Sequence, residues 1–314
     1  MNAWLLTLAQ TVTFVLLAPL FSAWVKRVKC WAQNRRSPSL LQPYRDLQKL
    51  FGKEALLAHN ASPLFRIAPY IIAGATLMAA AVVPLLAVNL PTAAIADVIV
   101  LAGFFALARF FLALAGMDVG TAFGGMGSSR EMTLSALAEP AMLMAVFTLA
   151  MVANSTNLST VIGHILADGL VLRPSLLFAL LSLVLVAVAE TGRIPVDNPS
   201  THLELTMIHE AMILEYSGRH LALMEWAAQL KLLIYGVLIA NIFFPWGIAT
   251  QPEGTSLLIA AAAIVGKLMV LGVALALGES VLAKMRLFRV PAFLTLALTL
   301  ALIGLLSHII LEVA

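Results

Sequence analysis

Cysteine is nearly missing from this chain of 314 residues: Cys30 is the single one. A disulfide within the chain is therefore excluded. So is an iron–sulfur cluster or a thiolate-rich zinc site held by this chain alone. Any redox metal that serves it sits on another chain, and Cys30 itself reads as a small buried hydrophobe near a membrane surface. Charge is scarce too. Asp, Glu, Lys and Arg make up 11% of the chain, where a soluble domain carries roughly 25%. That scarcity excludes a soluble globular enzyme, and a hydrophobic content of 61% excludes a disordered chain. No Lys or Arg precedes the first apolar run, Ala3–Val25, which is too long for the apolar region of a secretory signal. Internal repeats, low-complexity tracts and Ser/His/Asp or Cys/His catalytic sets are absent as well.

What the chain does have is apolar length, with a mean hydropathy of +0.99. Eight runs are long enough to span a membrane: Ala3–Val25, Ile67–Val88, Val98–Gly116, Met132–Ala153, Pro174–Glu190, Leu232–Ile248, Leu257–Leu277 and Pro291–Ile310. They are apolar all round, where barrel strands would alternate, so they are helices. The expectation is an all-α polytopic membrane protein, one membrane domain over residues 1–314 with about eight transmembrane helices. Of the 19 Lys and Arg, 16 lie in or beside the loops after the first, third, fifth and seventh runs. The positive-inside rule makes those loops cytoplasmic and puts both termini outside.

Two of these loops, 26–66 and 191–231, are too long to be mere turns. In the first, Leu40–Phe51 forms an amphipathic helix, with Leu40, Leu41, Leu47, Leu50 and Phe51 against Gln42, Arg45, Asp46 and Lys49. It lies on anionic lipid or serves as a platform for a soluble partner. The second loop contains Asp197, Glu204, Glu210, Glu215 and Glu225, on the side where charge bias is normally basic. Glu204 and Glu215 return to one helical face, as do His202 and His209. A proton relay fits this set better than a metal site, because the spacing is not H-E-x-x-H. The alternative is a hydrophilic loop whose acids simply meet water. The glycine-rich stretch Phe123–Ser129 reads as a flexible loop, and the sequons at Asn154 and Asn157 as chance matches.

Arg109, Glu139 and Lys267 lie well inside apolar runs, with Glu190 and Glu279 at or near their ends. A charge at the bilayer centre costs at least ~2.5–3.5 kcal/mol and often marks an ion or proton path. Glu139 stands about two turns inside the cytoplasmic face, roughly 12 Å at 1.5 Å per residue, with Arg109 at similar depth. They form either a static pair or part of an ion path.

At Glu190 the chain reads Glu-Thr-Gly-Arg-Ile-Pro-Val-Asp, and it later reaches Glu215-Tyr-Ser-Gly. This resembles the membrane subunit of respiratory complex I, the NADH-quinone oxidoreductase, that forms the quinone chamber. With Asp197-Asn-Pro-Ser-Thr-His-Leu-Glu-Leu-Thr-Met-Ile-His-Glu it looks most like the membrane subunit of group 4 nickel-iron hydrogenases, the hydrogenase-4 and formate hydrogenlyase complexes. The first loop, with Asn34-Arg-Arg-Ser-Pro and Gln42-Pro-Tyr-Arg-Asp-Leu-Gln-Lys-Leu-Phe, extends the likeness, as do Arg130 and Glu139 nine residues apart.

The resemblance implies a non-catalytic subunit of an oxidoreductase complex in the bacterial inner membrane. Its large loops dock a peripheral redox arm, with Arg35, Arg36 and Asp46 in the docking loop. It implies a proton or ion path through Glu139, Glu190, Asp197, Glu204 and Glu215, to which Lys267 is added for its depth. Arg109, Arg130 and Arg193 are the charge partners. The implied partners are hydrogenase large and small subunits, iron–sulfur subunits and antiporter-like membrane subunits. These would carry the nickel-iron centre and clusters, with no cofactor on this chain. Where the respiratory family has more acids before the position of Glu204, this chain has Ser200 and His202, and three extra residues follow before Glu215.

Overall fold

A computed structural model describes residues 3–88, 90–168, 173–197, 207–250 and 254–312. Among the described residues there are eleven α-helices and no strands. They are α1 (Ala3–Ala32), α2 (Gln42–Phe51), α3 (Pro63–Val82), α4 (Val98–Asp118), α5 (Ala122–Ala153), α6 (Leu158–Asp168), α7 (Pro174–Glu190), α8 (His209–Ile213), α9 (Gly218–Phe243), α10 (Gly254–Val281) and α11 (Val290–Ser307). Among the described residues, seven helices are long and apolar enough to cross a membrane. The eighth apolar helix, α7, has 17 residues, or about 26 Å of rise, at the short end of what spans hydrocarbon.

The helices sort into one bundle. α5, α7 and α11 pack together on one side, α3, α4 and α9 on the other, and α1 and α10 flank α9. The main core runs through Phe14, Leu101, Phe105, Leu183, Leu233 and Tyr235, all essentially closed to solvent. α10 and α11 leave most of their apolar surface outside the bundle, as expected where lipid replaces protein.

Four differences from the expected boundaries bear on the site. α3 stops at Val82, six residues before its apolar run ends, because Pro84 has no N–H and drives Val83 into extended backbone. The freed polar groups are satisfied inside the protein, as apolar surroundings require. Gln10 donates to the Val83 carbonyl and accepts from Leu86 N–H, both at 3.2 Å. Asn241 donates to the carbonyls of Pro84 and Leu85 at 3.0 and 3.1 Å. α9 starts at Gly218, so residues 218–231 are helix where loop was expected. α1 runs on to Ala32.

The fourth difference corrects the glycine-rich stretch. Phe123–Ser129 is helical, the opening of α5, capped by Thr121, whose hydroxyl accepts from Gly124 N–H. The glycines serve close approach. A Cβ at Gly124 would collide with the Gly116 carbonyl of α4, and one at Gly127 would lie 2.9 Å from both Ala211 Cβ and the Ile208 carbonyl.

Candidate functional site: a buried ion network beside a cavity

α2 forms as the amphipathic pattern predicts and rests on α1 and α9. Leu47 is its buried residue. Tyr44 donates from its hydroxyl to the Leu16 carbonyl, and burial pushes its phenol above the usual range. Asp46 accepts from Gln42 at 3.0 Å. Arg35 and Arg36 are exposed in the segment that follows α1.

Arg109 lies about 14 Å before the end of α4 and is buried. Its guanidinium meets three carboxylates. Nη1 donates to Glu139 Oε1 and Nη2 to Glu190 Oε1, both at 2.6 Å, and Nε stands 3.6 Å from Glu131 Oε1. The other oxygen of Glu190 accepts from Lys231 of α9 at 2.7 Å. The expected Arg109–Glu139 contact is thus present, but as one edge of a larger network. Glu139 is its open end, with a side chain 44% exposed, whereas Glu131 and Glu190 are buried.

A second group sits beyond the end of α7. Asp197 is buried, and its Oδ2 accepts from the backbone N–H groups of Ile208 and His209 at 3.2 Å. Lys284 Nζ is 3.8 Å from Asp197 Oδ1. Arg193 and Lys29 both bind Glu279, at 3.2 and 2.8 Å. Arg130 donates to the Met207 carbonyl at 3.0 Å. His209 stands between the two groups, 3.6 Å from Glu131 and 4.0 Å from Asp197.

Both groups face one cavity of about 700 Å³, within the roughly 300–1,000 Å³ typical of ligand sites. Its wall includes Lys26, Cys30, Arg35, Glu210 and Glu225. Among the described residues, no three His, Cys, Asp or Glu side chains are grouped to hold a metal ion.

The structure brings Glu139, Glu190, Arg109, Asp197 and Arg193 into or beside this site. Glu215 lies exposed between α8 and α9, and Glu204 falls outside the described residues. Lys267 is elsewhere, at the middle of α10, and its Nζ donates to Asn241 Oδ1 at 3.4 Å. It thus backs the amide that supports the unwound segment after α3. Four members of the site were missed in the sequence: Glu131, Lys231, Lys284 and the anchoring role of Glu279. Glu131 is eight residues before Glu139. That spacing is a signal once Phe123–Ser129 is known to be helical, because both acids then ride on one helix beside α4.

A family described as NADH dehydrogenase matches residues 6–309. The chain belongs to this family. It is similar to formate hydrogenlyase subunit 4 of Escherichia coli (strain K12), 34% identical over 284 residues, covering 90% of this chain and 92% of that one. Hydrogenase-4 component C of the same strain is 33% identical over 294 residues, covering 94% of this chain and 92% of that one. An NADH-quinone oxidoreductase subunit of Salinibacter ruber (strain DSM 13855 / M31) is 26% identical over 229 residues, covering 70% of this chain and 66% of that one. In fold, the chain matches a solved chain of the membrane-bound sulfane sulfur reductase, an archaeal respiratory membrane complex. The TM-score is 0.80 at 17% identity, covering 98% of this chain and 99% of that one. Seven membrane-length helices and these relatives make it a multi-pass membrane protein.

Proposed function

We propose that this protein is the membrane-anchoring and coupling subunit of a hydrogenase-4 or formate hydrogenlyase type complex in the bacterial inner membrane. It seats a cytoplasmic nickel-iron hydrogenase arm and links electron transfer to proton or ion movement. One observation carries the reading. A buried network of Arg109, Glu131, Glu190 and Lys231, with Glu139 at its open end, lies beside a cavity lined by its four buried members, inside an apolar bundle and in a chain similar to formate hydrogenlyase subunit 4. Buried charge is costly in hydrocarbon and persists there mainly where ions or protons move.

In this reading the nickel-iron centre and iron–sulfur clusters belong to partner subunits, among them hydrogenase large and small chains. Antiporter-like membrane subunits take the ion across. The basic segment 26–66 and the acidic segment 191–231 face the cytoplasm and dock the arm, with Arg35, Arg36 and Asp46 in the first. Both termini are outside. The path uses Glu139, Glu190, Asp197, Glu204 and Glu215, with Arg109, Arg130 and Arg193 as fixed charges. Lys267 adds a further charge at mid-membrane depth.

The test is Glu139→Gln in the intact complex, because glutamine keeps size and hydrogen bonding but cannot titrate. Assembly and hydrogenase activity with a soluble artificial donor stay near wild type. Activity driven through the membrane complex, and ion movement into vesicles, falls by ~10-fold or more. Wild-type coupled activity in both Glu139→Gln and Glu190→Gln, with normal assembly, makes these acids structural and ends the reading.

The cavity favours a second reading, a quinone chamber, since one relative is named an NADH-quinone oxidoreductase subunit. Purification from native membranes separates the two. Nickel and iron–sulfur chains accompany a hydrogenase subunit; flavin and quinone accompany a dehydrogenase subunit.

A further inference from the structure

Glu131 is the loosely held member of the buried network. Among the described residues, three carboxylates, Glu131, Glu139 and Glu190, share two cations, Arg109 and Lys231. Glu139 and Glu190 are gripped at 2.6–2.7 Å. Glu131 has only two longer approaches, 3.6 Å to Arg109 Nε and 3.6 Å to His209 Nε2. Arg109 Nε is buried without a hydrogen-bond partner.

His209 closes the gap on the other side. Its Nδ1 is also buried without a hydrogen-bond partner, and it stands 4.0 Å from Asp197 Oδ2. One ring nitrogen therefore faces each of two buried carboxylates, at separations where a bridging water is the question to ask. The cavity touches Glu131, His209 and Asp197 alike. Two features set the ring in place. Asp197 accepts from the backbone N–H of His209 itself. At Gly192, with φ +59°, a Cβ would lie 3.0 Å from Nδ1, so glycine lets the ring lie against the chain after α7.

We propose that His209 passes protons between Asp197 and Glu131, joining the Asp197–Lys284 pair to the buried network. The inference rests on the coupling function proposed above. A proton reaches Nδ1 from the Asp197 side, directly or through water, and the ring becomes an imidazolium. Nε2 then releases its own proton to Glu131, which becomes a neutral carboxylic acid, and the ring is left protonated on Nδ1. No electron moves, and rotation of the ring or return of the proton resets it. The direction has an electrostatic cause, since three carboxylates with two cations have room for one proton. The charged groups around the ring are Glu131 of α5 with Arg109 behind it, Glu190 at the end of α7, and Asp197 with Lys284 behind it. Glu210 is the next residue on α8.

The experiment uses the intact complex in native membrane vesicles. His209→Ala is expected to assemble, to keep hydrogenase activity with a soluble artificial donor, and to lose ion movement by ~10-fold or more. Free imidazole added to the vesicles fills the space left by the ring and restores a measurable part of the movement. A structural role predicts no rescue. Wild-type ion movement in His209→Ala, or a loss that imidazole does not relieve, overturns the relay. If alanine prevents assembly, His209→Gln takes its place; it keeps a polar end but cannot take up a proton and release another. Full ion movement in that variant also overturns the relay. Glu139→Gln run beside these separates the two ideas. If it uncouples while the His209 variants do not, the relay fails and the coupling function stands. If the His209 variants, Glu139→Gln and Glu190→Gln all assemble and keep coupled ion movement, the coupling function itself fails.

Discussion

Arg109 is one guanidinium serving carboxylates from two helices, Glu131 and Glu139 of α5 and Glu190 of α7. Sequence reasoning found Arg109 and Glu139 from their depth alone, and it found Glu190 as the start of a motif. It did not find that the three meet, because pairing depends on how helices turn toward each other. The network changes what mutations should do. In an isolated pair the two single losses cost alike, and the double loss less. Here Arg109→Leu leaves Glu131 and Glu190 buried with Lys231 as the remaining cation. Removing one partner of a buried pair typically costs ~3–5 kcal/mol, so Arg109→Leu should reduce the assembled complex severely. Glu139→Leu should be mild, since Glu139 is half open and Arg109 keeps Glu190. Adding Glu139→Leu to Arg109→Leu should not rescue assembly. Quantifying assembled complex in solubilised membranes checks the order. Recovery in the double variant would show an isolated pair after all.

At the scale of elements, α5 links fold to site. Its first turns lie against α4 through Gly116 and Gly124, and Gly127 receives α8. That contact fixes where His209 begins the short helix. Glycine usually weakens a helix by roughly 0.5–1 kcal/mol relative to alanine, and this is why the stretch read as a loop. Tertiary packing outweighs that penalty, and packing between distant segments is not written in local composition. Two glycines of the same stretch should therefore behave oppositely. Gly127→Val forces α8 outward against backbone, with overpacking of typically ~1–3 kcal/mol. It should lower thermal stability of the solubilised complex and depress coupled activity by displacing His209. Gly125→Ala meets nothing within 4 Å and should be neutral or slightly stabilising. Equal effects of the two substitutions would mean that the stretch is indeed free of contacts.

For the whole molecule, the spans were legible because hydrocarbon imposes length and polarity directly on sequence. All eight apolar runs correspond to helices, although the ends of α1, α3, α5 and α9 shift where Pro84, close-packed glycines or polar helical turns decide. The cavity was not legible, since its wall draws on α1, α3, α4, α5, α7, α8, α9 and α10 at once. The proposed orientation rests on charge alone. Sixteen of nineteen Lys and Arg fall in or beside alternate connections, and that bias retains a loop on the cytoplasmic side. With Cys30 replaced by Ser, single cysteines at Ser39 and Ala94 report opposite faces. Both positions are exposed, Ser39 between α1 and α2 and Ala94 between α3 and α4. A membrane-impermeant thiol reagent added to intact spheroplasts should label Ala94→Cys and spare Ser39→Cys until the membrane is opened. Labelling of Ser39→Cys from outside would invert the protein. The basic segment 26–66 would then lie away from any cytoplasmic arm, and the docking role proposed for Arg35, Arg36 and Asp46 would fall with it.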